Sequence, residues 1–348
     1  MILAGDVGGT NTRLAFFEPG GRGLALRWSR TFPSREYAGL SEIVRAARDE
    51  SGVRARSACF GIAGPVEGGR CEATNLPWRV DARELAHALE LDSSQLLNDL
   101  EATAWGLATL GTDALRTLQE GEARPGHAGI LAAGTGLGQA GLFWDGARHH
   151  PFACEGGHVD FAPSDEMEAR LFLWLHERHG HVSWERVLSG PGLVNVYTFL
   201  RDAEGLRDAD GLLYGETEHE SGALAEDLPG GDPAAAIAQA GARGDPLAAR
   251  ALSTFARLYG RAAGNVALVY LARGGVYLAG GIAPKILSWL ERPAFRAGFL
   301  AKGRLAAFLE RVPVRVVLDD RVAVYGAARA AALELGIPDG EACRFART

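Results

Sequence analysis

A short apolar segment that runs into a glycine-rich turn and returns as a second apolar segment occurs twice in this chain. Residues 2–7 end at Gly8-Gly9-Thr10-Asn11, after which an apolar run resumes at 13–17. Residues 129–133 end at Gly134-Thr135-Gly136-Leu137-Gly138, after which the chain is apolar again. Glycines between short apolar runs predict a tight turn between two strands. Each half of the chain is therefore predicted to open on a β-hairpin.

The two hairpins also match residue by residue at one constant spacing. The matched pairs are Ile2 with Ile130, Leu3 with Leu131, Ala4 with Ala132, Gly8 with Gly136 and Leu14 with Leu142. Duplication of one ancestral unit explains this pattern, and chance similarity of two glycine-rich hairpins is the alternative. The position of one copy at the start of each half favours duplication.

The segments around the hairpins predict an α/β fold. Residues 24–31 can add a third antiparallel strand, and apolar runs at 57–63 and 95–97 alternate with helical patterns at 40–50 and 99–110. Strands that alternate with helices form parallel sheets. In the second half we expect helices at 166–178, 245–272 and 322–335, strands at 275–279 and 312–318, and a surface loop at 201–231.

Composition excludes several classes of protein. At about 150 residues per domain, the 348 residues predict two domains. The net charge of −7 gives no attraction to nucleic acid, and no apolar stretch is long enough to span a bilayer. The N-terminus lacks the basic and apolar regions of a secretion signal. We therefore expect a cytoplasmic protein without nucleic-acid or membrane partners.

The rare residue types narrow the chemistry further. The four cysteines are scattered without metal-ligand spacing, which predicts reduced thiols. Lys285 and Lys302 are the only lysines, and neither stands in a Walker motif or at the lysine position of a protein kinase. A phosphate site in this chain must therefore use backbone amides, hydroxyls and metal.

The first glycine turn has the composition of such a site. In Gly5-Asp6-Val7-Gly8-Gly9-Thr10-Asn11, an acid at a strand end precedes glycines whose backbone N–H groups can approach an anion closely. Asp6 can hold the Mg²⁺ of a nucleotide through water, because Mg²⁺ keeps part of its hydration shell. A hairpin turn with a solvated aspartate is the alternative that this motif alone leaves open.

The second turn, Gly134-Thr135-Gly136-Leu137-Gly138, is not a dinucleotide-binding fingerprint, because Gln139 stands at the last glycine position and a strand follows. Two glycine turns facing each other across two domains would hold the two ends of a triphosphate. Gly280-Gly281, after the strand at 276–279, can form a third wall at the adenosine end. Entry into a helix is the equally open alternative for this pair.

Several further motifs follow one another along the chain. With the two glycine turns, they are Gly61-Ile62-Ala63-Gly64-Pro65-Val66, Thr74-Asn75-Leu76-Pro77-Trp78, Asn98-Asp99-Leu100-Glu101-Ala102, Glu155-Gly156-Gly157-His158-Val159-Asp160-Phe161 and Glu185-Arg186-Val187-Leu188-Ser189-Gly190. The series resembles the bacterial ATP-dependent glucokinases, which belong to the actin, sugar kinase and Hsp70 superfold. It runs in order from residue 2 to about 335 and is more specific than any one motif.

The resemblance implies an α/β fold of two RNase-H-like (actin-like ATPase) domains around a deep cleft, with mixed sheets and flanking helices. It implies a small domain at 1–109 plus about 320–340 and a large one at 110–319. Carried over by position, the general base is Asp99, the sugar ligands are Asn98, Glu155, His158 and Glu185, and the glycine turns hold ATP. Together with the residue patterns above, this predicts an ATP site formed by Gly5 to Asn11, Gly134 to Gly136, Gly280 and Gly281, with Mg²⁺ at Asp6.

The chemistry of phosphoryl transfer supports these roles. A primary alcohol is a weak nucleophile, so a carboxylate such as Asp99 has to accept its proton as it attacks. Carboxylates and amides suit a ring of hydroxyls that donate and accept. Without the resemblance, Asp99 reads as a helix N-cap, Glu155 and His158 as a polar loop, and Glu185 as a first-turn helix acid.

Two features set this chain apart from patterns of related kinases. The sugar kinases of the repressor-containing family carry a cysteine-rich zinc motif near the histidine that matches His158, and no cysteine follows here. The resemblance therefore implies sugar binding by His158 and no zinc. Leu100 stands where the glucokinases commonly have phenylalanine, a change in packing that leaves the chemistry intact.

The resulting prediction is a glucokinase that transfers the γ-phosphoryl group of ATP to the 6-hydroxyl of glucose. A kinase for mannose, glucosamine or N-acetylglucosamine keeps the mechanism and changes the sugar. A non-catalytic sugar sensor and an actin-like polymerising ATPase are alternatives of another class. A first strand at Ile2 leaves no room for a DNA-binding domain before it, and a polymer has no use for sugar ligands. The oligomeric state is left open, with a homodimer as one option.

Overall fold

The computed structural model describes residues 1–20, 23–122, 124–202 and 232–337. The strands are β1 (Ile2–Val7), β2 (Asn11–Gly20), β3 (Gly23–Pro33), β4 (Ser57–Ile62), β5 (Val66–Glu67), β6 (Arg70–Glu72), β7 (Arg79–Asp81), β8 (Ser93–Asn98), β9 (Leu115–Gln119), β10 (Ala128–Ala133), β11 (Leu137–Trp144), β12 (His149–Cys154), β13 (Gly275–Ala279) and β14 (Val314–Val317). The helices are α1 (Leu40–Ser51), α2 (Ala82–Leu89), α3 (Asp99–Leu107), α4 (Glu166–His179), α5 (Gly190–Asp202), α6 (Pro233–Ala242), α7 (Pro246–Val269), α8 (Ile282–Lys285), α9 (Leu287–Leu290), α10 (Pro293–Leu300), α11 (Ala306–Leu309) and α12 (Val322–Glu334).

The elements form two compact units, and the predicted mixed α/β architecture is confirmed. Unit 1 comprises the described residues of Met1–Leu115, His150–Ala153 and Asp319–Thr348. Unit 2 comprises those of Arg116–His149 and Cys154–Leu318. The domain boundaries inferred from the sequence stay a prediction.

Unit 1 is built on a five-stranded sheet in the order β3-β2-β1-β4-β8. β1 is antiparallel to β2 and parallel to β4, and β4 is parallel to β8. The side chains of β1 are buried on both faces: Leu3 packs in one cluster with residues of α1, and Ile2 in another with residues of α12. A strand covered on both sides is apolar along its buried length, which is the pattern at 2–7 apart from Asp6 near its end.

Two glycines bring α3 and α12 of unit 1 into backbone contact. A Cβ at Gly106 would lie 2.0 Å from the carbonyl oxygen of Val322, and a Cβ at Gly326 would lie 1.7 Å from that of Ala102. No side chain fits at either position, so the two helices cross as closely as their backbones allow. The crossing holds α3, and with it the residues at its first turn, against the sheet.

Unit 2 repeats the arrangement of the first hairpin. The strands of its sheet follow the order β11-β10-β13-β14-β9. β10 is antiparallel to β11 and parallel to β13, as β1 is to β2 and β4. The long helix α7 is buried along most of its length in the core of this unit. The shared topology supports the predicted duplication.

The predicted elements are confirmed in order and lie within a few residues of the observed bounds. The helix at 245–272 is observed at Pro246–Val269, and the strand at 312–318 at Val314–Val317. Most of the loop predicted at 201–231 lies outside the described residues, since only Arg201 and Asp202 are described, at the end of α5. Among the helices of the described ranges, none has the length and apolar character of a membrane span.

Alanine at position 326 is expected to destabilise the protein by about 1–3 kcal/mol, because the added methyl group overlaps the backbone of α3. The midpoint of urea unfolding, followed by circular dichroism, measures the change. Gly39→Ala is the matched control, since a Cβ at Gly39 meets no atom within 4 Å. Equal midpoints for the two variants would show that the helix crossing tolerates a side chain.

Candidate functional site

The first glycine turn of unit 1 is closed by its own backbone and by one buried serine. The N–H of Gly8 donates to the carbonyl oxygen of Asn11 at 3.0 Å. The Oγ of Ser34 donates to the carbonyl oxygen of Gly8 at 2.7 Å, and its N–H donates to that of Thr10 at 2.9 Å. Ser34 and its neighbour Thr12 are fully buried and lie 2.9 Å apart at their hydroxyls. The turn is therefore held in one shape before any anion binds.

The glycines of this turn serve different purposes. A Cβ at Gly9 would lie 2.5 Å from the Cβ of Asn75, so Asn75 packs directly on the turn. A Cβ at Gly5 would lie 2.5 Å from the ring of Phe60, so Gly5 is required by packing inside the sheet. Gly5 has a structural role that needs no ligand.

The parallel strands place Asp6 and Asp99 at one edge of the sheet. Asp6 lies in register with Gly61 of β4, and Asn98 lies in register with Ile62 of the same strand. The carboxyl ends of parallel strands meet at the same edge, which is where ligands bind in sheets of this kind. Asp6 and Asp99 are thereby brought together.

Burial and the nearby charge of Asp99 raise the pKa of Asp6 to about 6, an effect that Arg13 offsets in part. Arg13 is itself held by Asp320, whose carboxylate and carbonyl oxygens accept from its guanidinium at 2.8 and 3.0 Å. The carboxylate of Asp6 is thus poorly compensated by the protein. A cation at this position would relieve the repulsion between the two acids.

Asn98, and not Asp99, is the N-cap of α3. The Oδ1 of Asn98 accepts from the N–H of Leu100 at 3.0 Å, and its Nδ2 donates to the carbonyl oxygen of Gly64 at 3.1 Å. Asp99 is the first residue of the helix, and its Oδ1 also accepts from the N–H of Leu100, at 2.9 Å. The amide of Asn98 therefore has one N–H left for a substrate, and the carboxylate of Asp99 is oriented by the helix backbone.

The second glycine turn lies in unit 2 and is held by the segment Glu185–Gly190. The N–H of Gly134 donates to the carbonyl oxygen of Gly136 at 2.9 Å, which closes the turn. The N–H of Gly190 donates to the carbonyl oxygen of Gly134 at 2.8 Å. The Oε2 of Glu185 accepts from the N–H of Leu137 at 2.8 Å. The structure therefore brings this turn into direct contact with Glu185.

The turn Glu155–His158 packs on the start of β11. A Cβ at Gly157 would lie 1.8 Å from the carbonyl oxygen of Leu137, and a Cβ at Gly156 would lie 2.5 Å from the side chain of Gln139. Gln139 is fixed in turn, because its Nε2 donates to the hydroxyl of Tyr270 at 2.9 Å. The side chains of Glu155 and His158 are 70% and 58% exposed and approach each other to 3.9 Å. They are free to meet a ligand from solvent.

Gly280 and Gly281 differ in backbone conformation and in the space around them. Gly280 has a φ of 80°, and a Cβ there would lie 2.4 Å from the carbonyl oxygen of Ala133. Packing and backbone conformation therefore account for Gly280 without a ligand. Gly281 precedes α8, and a Cβ there would meet no atom within 4 Å, so it is the member of the pair that a nucleotide could approach.

Sequence reasoning missed Ser34, Asn75 and Gln139 as supports of the site. Ser34 stands in an ordinary polar stretch, and nothing in its neighbours indicates that it is fully buried. Asn75 lies in a motif that the resemblance includes, which was the available signal. In the sequence, Gln139 stands out only as the residue that breaks a glycine pattern.

Comparisons with known proteins agree on one family. The model of the glucokinase family matches residues 3–334. The glucokinases of Nostoc sp. and Synechocystis sp. are 38% and 39% identical to the chain, and the alignments cover 95% of this chain and 99% and 98% of theirs. A crystal structure of glucokinase from an Antarctic psychrotroph superimposes with a TM-score of 0.80 at 28% identity, covering 95% of this chain and 98% of that one. The chain therefore belongs to the glucokinase family.

Proposed function

We propose that Asp99 is the general base in the transfer of the γ-phosphoryl group of ATP to the 6-hydroxyl of glucose. Family membership gives the overall reaction, the phosphorylation of glucose by ATP. The observation that carries the residue assignment is that the charges of Asp99 and Asp6 interact at the carboxyl ends of β8 and β1.

The position of Asp99 suits a base. Its Oδ1 is held by the N–H of Leu100, which keeps the carboxylate from rotating. It stands at the N-terminus of α3, a helix of nine residues that is locked by its contact with α12. A carboxylate held in this way can take a proton from an alcohol as the alcohol attacks phosphorus, and little reorganisation is needed.

We further propose that Asp6 holds Mg²⁺ together with the ATP phosphates. The fit rests on the raised pKa of Asp6, since a carboxylate close to a second acid and only partly offset by Arg13 gains from a nearby cation. Mg²⁺ would supply neutralisation of the charge on the phosphates. The protein contributes the backbone N–H groups of the two glycine turns, which need no lysine.

The sugar ligands proposed from the resemblance are Asn98 in unit 1 and Glu155, His158 and Glu185 in unit 2. Their support is chemical: an amide N–H, exposed or half-buried carboxylates and an imidazole are the groups that bind a ring of hydroxyls. In the same proposal the reaction takes place in the cytoplasm. The free thiols of Cys59, Cys71 and Cys154 suit that reducing compartment.

Replacing Asp99 by Asn is expected to lower kcat by about 10²–10⁴-fold, because the amide keeps the shape and loses the proton acceptor. Glucose binding, measured by calorimetry, is expected to stay within a few-fold of the parent. Glu101→Gln is the control, since it removes a carboxylate from the same turn of α3. A kcat within a few-fold of the parent for Asp99→Asn would remove Asp99 from the role of base.

The two ends of the second glycine turn give a matched pair of variants for the ATP site. A Cβ at Gly134 meets no atom within 4 Å, whereas one at Gly136 would lie 2.6 Å from the Oε2 of Glu185. We expect Gly134→Ala to raise the KM for ATP and to leave that for glucose unchanged, because it fills only the approach to the turn. Gly136→Ala is expected to raise both, since it also displaces Glu185. Unchanged KM values for ATP in both variants would contradict the assignment of the turn to ATP.

The raised pKa of Asp6 predicts a pH-dependent gain in stability for Asp6→Asn. Above about pH 6 the folded chain holds an ionised Asp6 that burial and Asp99 disfavour, so removing the charge is expected to raise the Tm. The gain should shrink as the pH falls from about 6 to 4, because native Asp6 then takes up a proton that the unfolded carboxyl, at 3.8, does not.

Thermal unfolding of the unliganded protein across this pH range measures the effect. Asp49→Asn, on the exposed face of α1, is the control and should show no such trend. A gain for Asp6→Asn that does not vary with pH would contradict the electrostatic explanation. Kinase activity of Asp6→Asn is expected to be lost in either case.

A further inference from the structure

The carboxylate of Glu185 lies against the backbone of the second glycine turn. Its Oε2 accepts a hydrogen bond from the N–H of Leu137, the residue that leaves the turn and begins β11. A Cβ built at Gly136 would lie only 2.6 Å from the same oxygen. Glycine at 136 is therefore what lets a negative charge approach the turn this closely.

The charge of Glu185 is poorly compensated. In the described part of the chain no ion pair to Glu185 is found, and the side chain is half-buried. Its carboxylate accepts a hydrogen bond from the backbone N–H of Leu137. Charge at a partly buried site is screened less than at an exposed one, so this carboxylate repels other anions near the turn.

The N–H of Leu137 is a backbone donor at the exit of the second glycine turn. Anion sites formed by glycine turns consist of successive backbone N–H groups that converge on the bound oxygen atoms. In the structure the N–H of Leu137 is occupied by a carboxylate, and the N–H of Gly134 by the carbonyl oxygen of Gly136. A phosphate that enters the turn therefore meets an engaged donor and a like charge.

We propose that Glu185 is a positioning residue for the ATP phosphates as well as a sugar ligand, and that it makes nucleotide binding depend on glucose. Without sugar, its carboxylate occupies the N–H of Leu137 and repels phosphate. Glucose hydroxyls donate to the carboxylate and draw it away, which frees the N–H of Leu137 for a phosphate oxygen. This inference rests on the proposed roles of Glu185 and of the second glycine turn.

The segment that carries Glu185 is built to transmit such a movement. Trp184–Arg186 forms one turn of 3₁₀ helix, and the Oγ of Ser189 donates to the carbonyl oxygen of Glu185 at 2.8 Å. Five residues after Glu185, this segment reaches Gly190, whose N–H donates to the carbonyl oxygen of Gly134 at the other end of the turn. The turn is thus anchored by a neutral backbone contact at its start and by a charged side chain at its exit. Only the charged contact can respond to a sugar.

Glu155 provides the comparison within the same site. It is also a proposed sugar ligand, yet its carboxylate is 70% exposed and its recorded side-chain contact is to His158 at 3.9 Å. Its loss should weaken glucose binding without changing the phosphate turn. Glu185→Gln and Glu155→Gln therefore separate sugar binding from control of the nucleotide site.

The experiment measures the binding of Mg²⁺ with AMPPNP, a non-hydrolysable ATP analogue, by calorimetry with and without saturating glucose. In the parent protein, glucose is expected to tighten binding by about tenfold, as removal of one like charge near the phosphates would. In Glu185→Gln the amide oxygen still accepts from Leu137, but the charge is gone. Binding without glucose should therefore be about tenfold tighter than in the parent, with little further gain from glucose.

Glu155→Gln is expected to bind the analogue as the parent does when glucose is absent. If Glu185 only stabilised the turn, Glu185→Gln would bind the nucleotide analogue more weakly than the parent. Tighter binding therefore distinguishes an effect of the charge from a structural role. Parental affinity in Glu185→Gln without glucose, or equal tightening in Glu155→Gln, would overturn the proposal.

Two further measurements keep these outcomes separate from failure of the proposed function. The Tm of each variant shows whether it is folded. If Glu185→Gln does not fold, Glu185→Asp replaces it, because its shorter side chain withdraws the carboxylate from Leu137. Glucose phosphorylation by the parent is assayed in parallel. A parent that phosphorylates glucose but shows no dependence of AMPPNP binding on glucose refutes the role of Glu185 and leaves the function in place.

Discussion

Asp6 and Asp99 repel each other at the carboxyl ends of the parallel strands β1 and β8, and the packing of unit 1 holds both residues in place. Two free carboxylates would relieve this repulsion by moving apart. β1 cannot move, because it is buried on both faces, and α3 cannot move, because Gly106 and Gly326 bring it into backbone contact with α12. The fold therefore accepts an unfavourable charge pair at its site, a cost that is common where a protein binds a cation or performs acid–base chemistry.

The two glycine turns are copies of one local structure with different supports. The first is held by the hydroxyl of Ser34, a neutral group that is fully buried. The second is held by the carboxylate of Glu185, which carries a charge and is half-buried. A hydroxyl keeps its turn in one state, whereas a carboxylate can be drawn away by another donor. If duplication produced the two halves, the contacts that hold the two turns have since diverged, with a neutral hydroxyl at the first and a charged carboxylate at the second.

The sequence predicted the parts of the fold that depend on local pattern. The apolar runs at 2–7 and 57–63 and the glycine turns predicted a hairpin joined to parallel strands, and the motifs predicted the family. The contact of Gly106 with Val322 and the burial of Ser34 depend on residues far apart in the chain, so no local sequence pattern predicts them. The N-cap of α3 was also one residue away from the expected Asp99, because Asn and Asp cap helices equally well.

The close packing of Gly156 and Gly157 on β11 limits which residues of the Glu155–His158 turn can be substituted. Any side chain at these glycines would press on Leu137 and Gln139, which lie directly after the second glycine turn. Remodelling the backbone of the Glu155–His158 turn would therefore disturb the second glycine turn as well. The side chains of Glu155 and His158 are exposed and can be exchanged with less effect on the backbone. Substitutions in this turn are therefore better tolerated at those two side chains than at the glycines between them.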